Sequence, residues 1–260
     1  MGFEIGTVTI PWYGFFIVLG LGAAALLGYV LVKQAGLIYD EFIEIACFVG
    51  LGAMAGSKLL YLVMAWETID VSRLTDLEYI SALMGGGFVF YGGLAGGLLG
   101  LYLCGRLLHI PVMEYARQSL PVIPLAHGFG RIGCAFAGCC YGIPYDGPGA
   151  VVYTRSAAAP LGIPLFPVQA VEAAGEFVLA AVLGIYIASC RKGGRQPNSI
   201  RLYLALYAVL RFFLEFVRYD DSERGMLWGI STSQWISIGI CVVLAGAEVW
   251  GRKSRKKQDS

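Results

Sequence analysis

Seven apolar stretches punctuate this chain, at residues 11–32, 42–65, 86–105, 112–126, 166–189, 199–218 and 232–250. A hydrocarbon core about 30 Å thick takes a helix of about 20 such residues. None of the stretches alternates in and out as a barrel strand does, and helices are the other way to satisfy every backbone group in lipid. The pattern predicts an all-α, polytopic integral membrane protein of about seven transmembrane helices, forming one domain over residues 1–260. The first stretch has no basic lead and no small-residue cleavage site, so it reads as a retained span rather than a removable signal.

Composition agrees: 57% of the 260 residues are hydrophobic and 14% charged, against roughly a quarter charged in soluble domains. A net charge of +1 excludes the basic stripe that nucleic acid needs. The few cations set an orientation. Lys33, Arg106, the group Arg191, Lys192 and Arg195, and the tail from Arg252 to Lys257 follow the first, third, fifth and seventh stretches. The opposite connections carry Glu67, Asp70, Asp76 and Glu78, then Asp220, Asp221 and Glu223. The expectation is an N-terminus outside, a long outward-facing connection near 127–165, and a basic cytoplasmic tail at 251–260 beside acidic headgroups.

Charges inside apolar stretches are costly enough to be functional candidates, at roughly 2.5 kcal/mol or more for a mid-span arginine. In "YAVLRFFLEFVRY", Arg211, Glu215 and Arg218 share one helical face. They read as a polar site, or as a structural ion pair with Arg218 reaching the interface. Gln169, Glu172 and Glu176 open the fifth stretch at helical spacing, where Glu172 could orient an arginine and where carboxylates also suit the helix dipole. Lys58 with Tyr61 places a cation on the second stretch that would suit a phosphate headgroup. Glycines abound, 36 in all, and "MGGGFVFYGGLAGGLLG" either packs helices closely or makes room beside Tyr91 for a bulky lipid.

The densest chemistry is "HGFGRIGCAFAGCCYG", His127 to Gly142. Arg131 among Gly128, Gly130 and Gly133 is an arginine on a close-approach backbone, able to hold phosphate bidentately. His127 reads as a general base or as a hydrogen-bonded interior group. Cys134, Cys139 and Cys140 give C-x4-C-C, which matches no strong zinc or iron–sulfur spacing. Three readings stay open for them: a packed or disulfide-closed loop, a reactive thiol beside Arg131, and a metal ligand set. Cys47, Cys104, Cys190 and Cys241 lie in or beside apolar stretches and read as small packed side chains.

The ordered motifs "WYG", "FYGGL", "GRIG", "FPVQAVE" and "RFFLEFVR" resemble the prolipoprotein diacylglyceryl transferase family over nearly the whole chain. The resemblance implies a seven-span bacterial inner-membrane enzyme that moves the diacylglyceryl group of phosphatidylglycerol onto the lipobox cysteine of a prolipoprotein, releasing glycerol 1-phosphate. It implies no metal and no diffusible cofactor. Residue by residue, it assigns Arg131 and Arg211 to phosphate, Glu215 to orienting them, and Tyr13, Gln169 and Glu172 to substrate contacts. Gly92, Gly93 and Gly133 fall in its glycine motifs, and Lys58 and Arg218 join the binding set.

The departures are chemical. Tyr91 stands where the best-known members carry the histidine of "HGG", so the tyrosine becomes the candidate proton carrier. Cys134, Ala137 and Cys139 replace an asparagine, asparagine and glutamate, Lys58 replaces an arginine, and Phe166 replaces a histidine. Two alternatives therefore accompany the transferase reading: a relative with a different acceptor, and a non-catalytic membrane protein that binds or transports lipid.

Overall fold

A computed structural model describes residues 2–6, 8–219 and 225–258 of the chain. The acidic connection Asp220, Asp221 and Glu223 with Arg224, and the last two residues of the basic tail, lie outside the described residues.

The helices are α1 (Trp12–Gln34), α2 (Tyr39–Met64), α3 (Leu77–Gly85), α4 (Phe90–Leu108), α5 (Val112–Ser119), α6 (Val122–Ala137), α7 (Val168–Lys192), α8 (Ser199–Leu214) and α9 (Thr232–Gln258). Helices α1, α2, α7 and α9 are each long and apolar enough to cross a membrane. The pairs α3 with α4 and α5 with α6 bring the count to six if each is one broken span. Seven were expected. Helix α8 falls short at 16 residues because a 3-10 turn, Glu215–Val217, takes over at the Arg211–Glu215 polar turn.

The chain divides into two compact units, Val32–Ala116 and Met1–Leu31 with Arg117–Ser260. In the first of these, α2 and α4 cross with backbones touching. A Cβ on Gly92 or Gly96 would strike the carbonyls of Gly56 and Gly52, and one on Gly100 that of Phe48. This is small-residue packing, the substitute in lipid for a hydrophobic drive between helices. Of the glycine run, Gly92, Gly96 and Gly100 serve close helix packing. Gly92 is buried against α2, and a Cβ on Gly93 would meet Ala53 and Ser57 at 3.5 Å. Both had been expected in the substrate-binding set; in the structure Gly92 packs on α2 and Gly93 is partly exposed beside it.

The acid-rich stretch before α4 is helical too. Asp76 caps α3 by accepting from the Glu78 and Tyr79 amides, and Arg73 lies 3.2 Å from its carboxylate. Those hydrogen bonds, Arg73's first, hold the Asp76 carboxyl below the ordinary aspartate range. At the other end Lys58 Nζ donates to the Leu83 carbonyl and, at 2.5 Å, to that of Gly86, between the rings of Tyr61 and Phe88. Lys58 was expected to meet a phosphate headgroup; its ammonium instead closes the C-terminus of α3, where free carbonyls carry negative charge.

In the other unit, α6 packs on α7, α7 on α8, and α8 on α9. The sequence placed the start of a connection at residue 127, with Arg131 on flexible backbone. Helix α6 instead runs through the motif to Ala137, and the connection starts at Gly138. Tertiary packing overrides the low helix propensity of its glycines: a Cβ on Gly128 would run into Phe177 of α7, and one on Gly133 would press Tyr13 and Phe16 of α1. The break falls at Leu120–Pro121. Cys104 and Cys190 are buried as expected, whereas Cys47 and Cys241 are exposed on the helix surface.

Candidate functional site

Helical spacing aims three polar faces at one another. On α6, His127 and Arg131 are four residues apart; on α7, Gln169, Glu172 and Glu176 follow the same period; on α8 and its 3-10 extension, Arg211 and Glu215 do so again. Glu172, buried, is where they meet. Its carboxylate lies 2.8 Å from Arg131 Nη2, 3.7 Å from Arg218 Nη1 and 3.9 Å from Arg211 Nη1. Arg211 Nη2 also pairs with Glu215 at 2.8 Å and donates to Ser233 Oγ at 3.4 Å.

Arg218 owes its place to the connection. It is extended and bridges Gly142, with the Ile143 amide donating to Val217 and the Tyr219 amide to Tyr141. The guanidinium thus comes to Glu172 from a different backbone than the arginines of α6 and α8.

His127 Nδ1 is 2.8 Å from Glu176 Oε1, and its Nε2 is 3.9 Å from Glu172. His127 had been read as a general base or an interior hydrogen-bonding group and Glu176 as part of the polar face of the fifth stretch, but neither had been placed in the site set. The signal was present in the spacing: His127 precedes Arg131 by one helical turn, and Glu176 follows Glu172 by one.

Three guanidiniums face Glu172 and Glu215, while Glu176 faces the imidazole. Counted formally, the three arginines and three glutamates of the cluster balance, so an incoming anion would be met by guanidinium donors rather than by a net positive charge. Arg131 Nε and Nη2 and Arg211 Nη1 are buried and make no aligned hydrogen bond among the described residues. Buried guanidinium donors of that kind suit an anionic acceptor.

A cleft of about 400 Å³ leads to these groups between α1 and α6, lined by Tyr13, Ile17, Leu21, Ala126, His127, Gly130, Arg131 and Cys134. Its walls are apolar and its floor is charged, which suits an amphiphile.

The three thiols stand at the C-terminus of α6. Gly138 (φ +67°) and Cys140 (φ +54°) are both left-handed, and this turns the chain so that Cys134, Cys139 and Cys140 come within 4.8 Å of one another. All three are free, so the structure lacks the loop-closing disulfide that was one of the readings. Gln169, also buried, fixes the turn by donating to the Cys139 carbonyl at 2.9 Å and to the Tyr153 hydroxyl at 3.3 Å. Burial raises the Tyr153 phenol above its ordinary range. The neighbouring Cys134 and Cys139 thiols, and then the Arg131 guanidinium, hold the Cys140 thiol below its ordinary range.

The sequence-derived set is therefore split. Arg131, Arg211, Arg218, Glu172 and Glu215 converge, with Tyr13, Gly133, Gln169 and the cysteines at their border. Lys58, Tyr91, Gly92 and Gly93 belong to the Val32–Ala116 unit. There Tyr91 occupies the first turn of α4, half exposed, with its ring against Phe90.

Residues 1–250 match the family model described as prolipoprotein diacylglyceryl transferase. The chain belongs to this family. Among its relatives are phosphatidylglycerol–prolipoprotein diacylglyceryl transferase 2 of Clostridium perfringens, 36% identical over 239 residues (92% of this chain and 90% of the relative), and the enzyme of Clostridium tetani, 36% identical over 241 residues (93% of each). A more distant one, from Dehalococcoides mccartyi, is 30% identical over 264 residues, 100% of this chain and 96% of its own. The matches cover nine-tenths or more of this chain and of those relatives, and the chain is a multi-pass bacterial membrane protein.

Proposed function

We propose that this chain transfers the diacylglyceryl group of phosphatidylglycerol to the lipobox cysteine of a prolipoprotein. The observation that carries this reading is the cluster of guanidiniums of Arg131 and Arg211 gathered around Glu172, with the buried Arg131 Nε left without a hydrogen-bond partner among the described residues. The names of the relatives supply the two substrates.

The lipid enters the α1–α6 cleft with its acyl chains along Ile17 and Leu21 and its phosphate on Arg131 and Arg211. Glu172 and Glu215 hold both guanidiniums in place, so little reorganisation is needed as charge moves onto the leaving group. The lipobox thiol gives its proton to His127, which Glu176 orients, and the sulfur attacks the glyceryl carbon bound to the phosphate oxygen. The new bond is C–S; the C–O bond to phosphate breaks, and its electron pair leaves on glycerol 1-phosphate. His127 replaces Tyr91 in this role because it lines the cleft together with Arg131.

The topology that fits is an N-terminus and a 138–167 connection on the outer face of the inner membrane, with the basic tail in the cytoplasm. The distribution of lysine and arginine supports it.

The test is purified full-length chain in lipid nanodiscs with phosphatidylglycerol and a lipobox peptide, read by mass spectrometry. Diacylglyceryl-thioether peptide and glycerol 1-phosphate should appear in equal amounts. Folded protein that yields neither, or that yields diacylglycerol without a thioether, would overturn the reading.

A further inference from the structure

We propose that Cys134, Cys139 and Cys140 form a binding site for a single thiophilic d10 cation of the zinc and cadmium class. The inference does not depend on the transferase reading.

Sequence spacing concealed the site, because C-x4-C-C places no two sulfurs together in a helix or a strand. The two left-handed residues do so. Helix α6 carries Cys134 in its last turn and stops at Gly138, where a Cβ would run into the side chain of Ser156. The Cys139 amide then folds back to donate to the Cys134 carbonyl at 3.2 Å. Cys140 takes φ +54°, a conformation uncommon outside glycine and asparagine. This puts its thiol on the same side as the other two.

The resulting geometry fits an ion. Three sulfurs no more than 4.8 Å apart enclose a point within about 2.8 Å of each, so a contraction of about half an ångström gives the 2.3 Å zinc–thiolate bond. All three are free and partly accessible, and Cys134 lines the cleft, which gives the ion an entry path. The backbone of the site is anchored independently of any ion. Gln169 holds the Cys139 carbonyl, and the Ala157 and Ala159 amides cap the Ala137 and Gly138 carbonyls at 2.8 Å. Such outer contacts keep ligands aimed.

Charge balance fits as well. Three thiols releasing their protons to a divalent ion give a complex of charge −1. Arg131, three residues before Cys134 on α6 and lining the same cleft, places a positive charge beside it. Soft sulfur ligands select zinc, cadmium or copper(I) over hard cations. Three protein ligands leave a fourth position for water.

The experiment uses the full chain in detergent, reduced with a phosphine, stripped of metal, and titrated with Cd2+ while the thiolate-to-metal charge-transfer absorbance is followed. The expected result is a band that saturates near about one Cd2+ per chain, as a single soft-ligand site requires. Cd2+ should also protect all three cysteines of the wild-type chain from alkylation, mapped by mass spectrometry, while Cys47 and Cys241 stay reactive. The band should vanish in Cys139→Ser and Cys140→Ser and persist in Cys47→Ser and Cys241→Ser. No band in the wild-type chain, unprotected thiols at saturating Cd2+, or equal loading of Cys139→Ser and Cys140→Ser would overturn the proposal. Because the alkylation result needs no substitution, a misfolded variant does not blunt the test.

Discussion

Glu172 Oε2 lies 2.8 Å from Arg131 Nη2, and this one contact ties the α6 motif to α7. The same carboxylate faces Arg211 and Arg218, so one side chain draws together guanidiniums from three backbone segments.

Removing that carboxylate leaves three buried cations with too little compensation. Breaking a buried pair from one side costs about 3–5 kcal/mol. Glu172→Gln should therefore lower the detergent-phase melting temperature and abolish turnover together. Wild-type melting in Glu172→Gln would show that the arginines are compensated elsewhere.

Arg131→Lys separates charge from shape. Lysine keeps the positive charge but lacks the planar fork, so it cannot meet Glu172, Cys140 and a phosphate at once. Turnover should fall by about 10²-fold or more with the fold intact. A steady-state assay beside a thermal melt measures both.

The proton carrier is decided by a pair of variants. General-base catalysis contributes about 10²–10⁴-fold, so His127→Asn should lose at least the lower figure. With the proton on His127, Tyr91→Phe should keep its rate within about threefold. The reverse pattern would return the role to Tyr91.

Helix packing in the Val32–Ala116 unit rests on glycines that allow backbones to touch. A Cβ on Gly96 would strike the Gly52 carbonyl and come within 3.0 Å of Gly56 Cα. Gly96→Val should therefore part α2 from α4, seen as lost cross-linking between cysteines placed on the two helices. Gly50→Ala, with nothing within 4 Å of its Cβ, should be silent.

Much of this was legible in the sequence. Hydrophobic run length disclosed a polytopic all-α chain, though it gave seven spans where the described residues hold four to six candidates, and the helical spacing of Arg211 with Glu215 and of Gln169, Glu172 and Glu176 disclosed two polar faces. What run length hid was the helical state of His127–Ala137, because glycine and charge there imitate a loop while packing against Phe177 and Tyr13 makes a helix. Lys58 misled for a related reason. A cation in an apolar run suggests a ligand, but its partners are the Leu83 and Gly86 carbonyls of a short helix that composition did not reveal. The two readings of His127 stayed open because a single histidine gains meaning only from the carboxylate opposite it, here Glu176 on another helix. The cysteines became a cluster only through two left-handed residues, a conformation that spacing does not encode.

The central claim is that Arg131 and Arg211 hold the phosphate of a lipid whose glyceryl carbon is transferred to sulfur. Its most direct test is the rate of thioether formation from phosphatidylglycerol and a lipobox peptide by Arg131→Ala and Arg211→Ala, each verified as folded by its melting transition. The account predicts a loss of about 10³-fold or more in each. Thioether formation at the wild-type rate in either folded variant would contradict it.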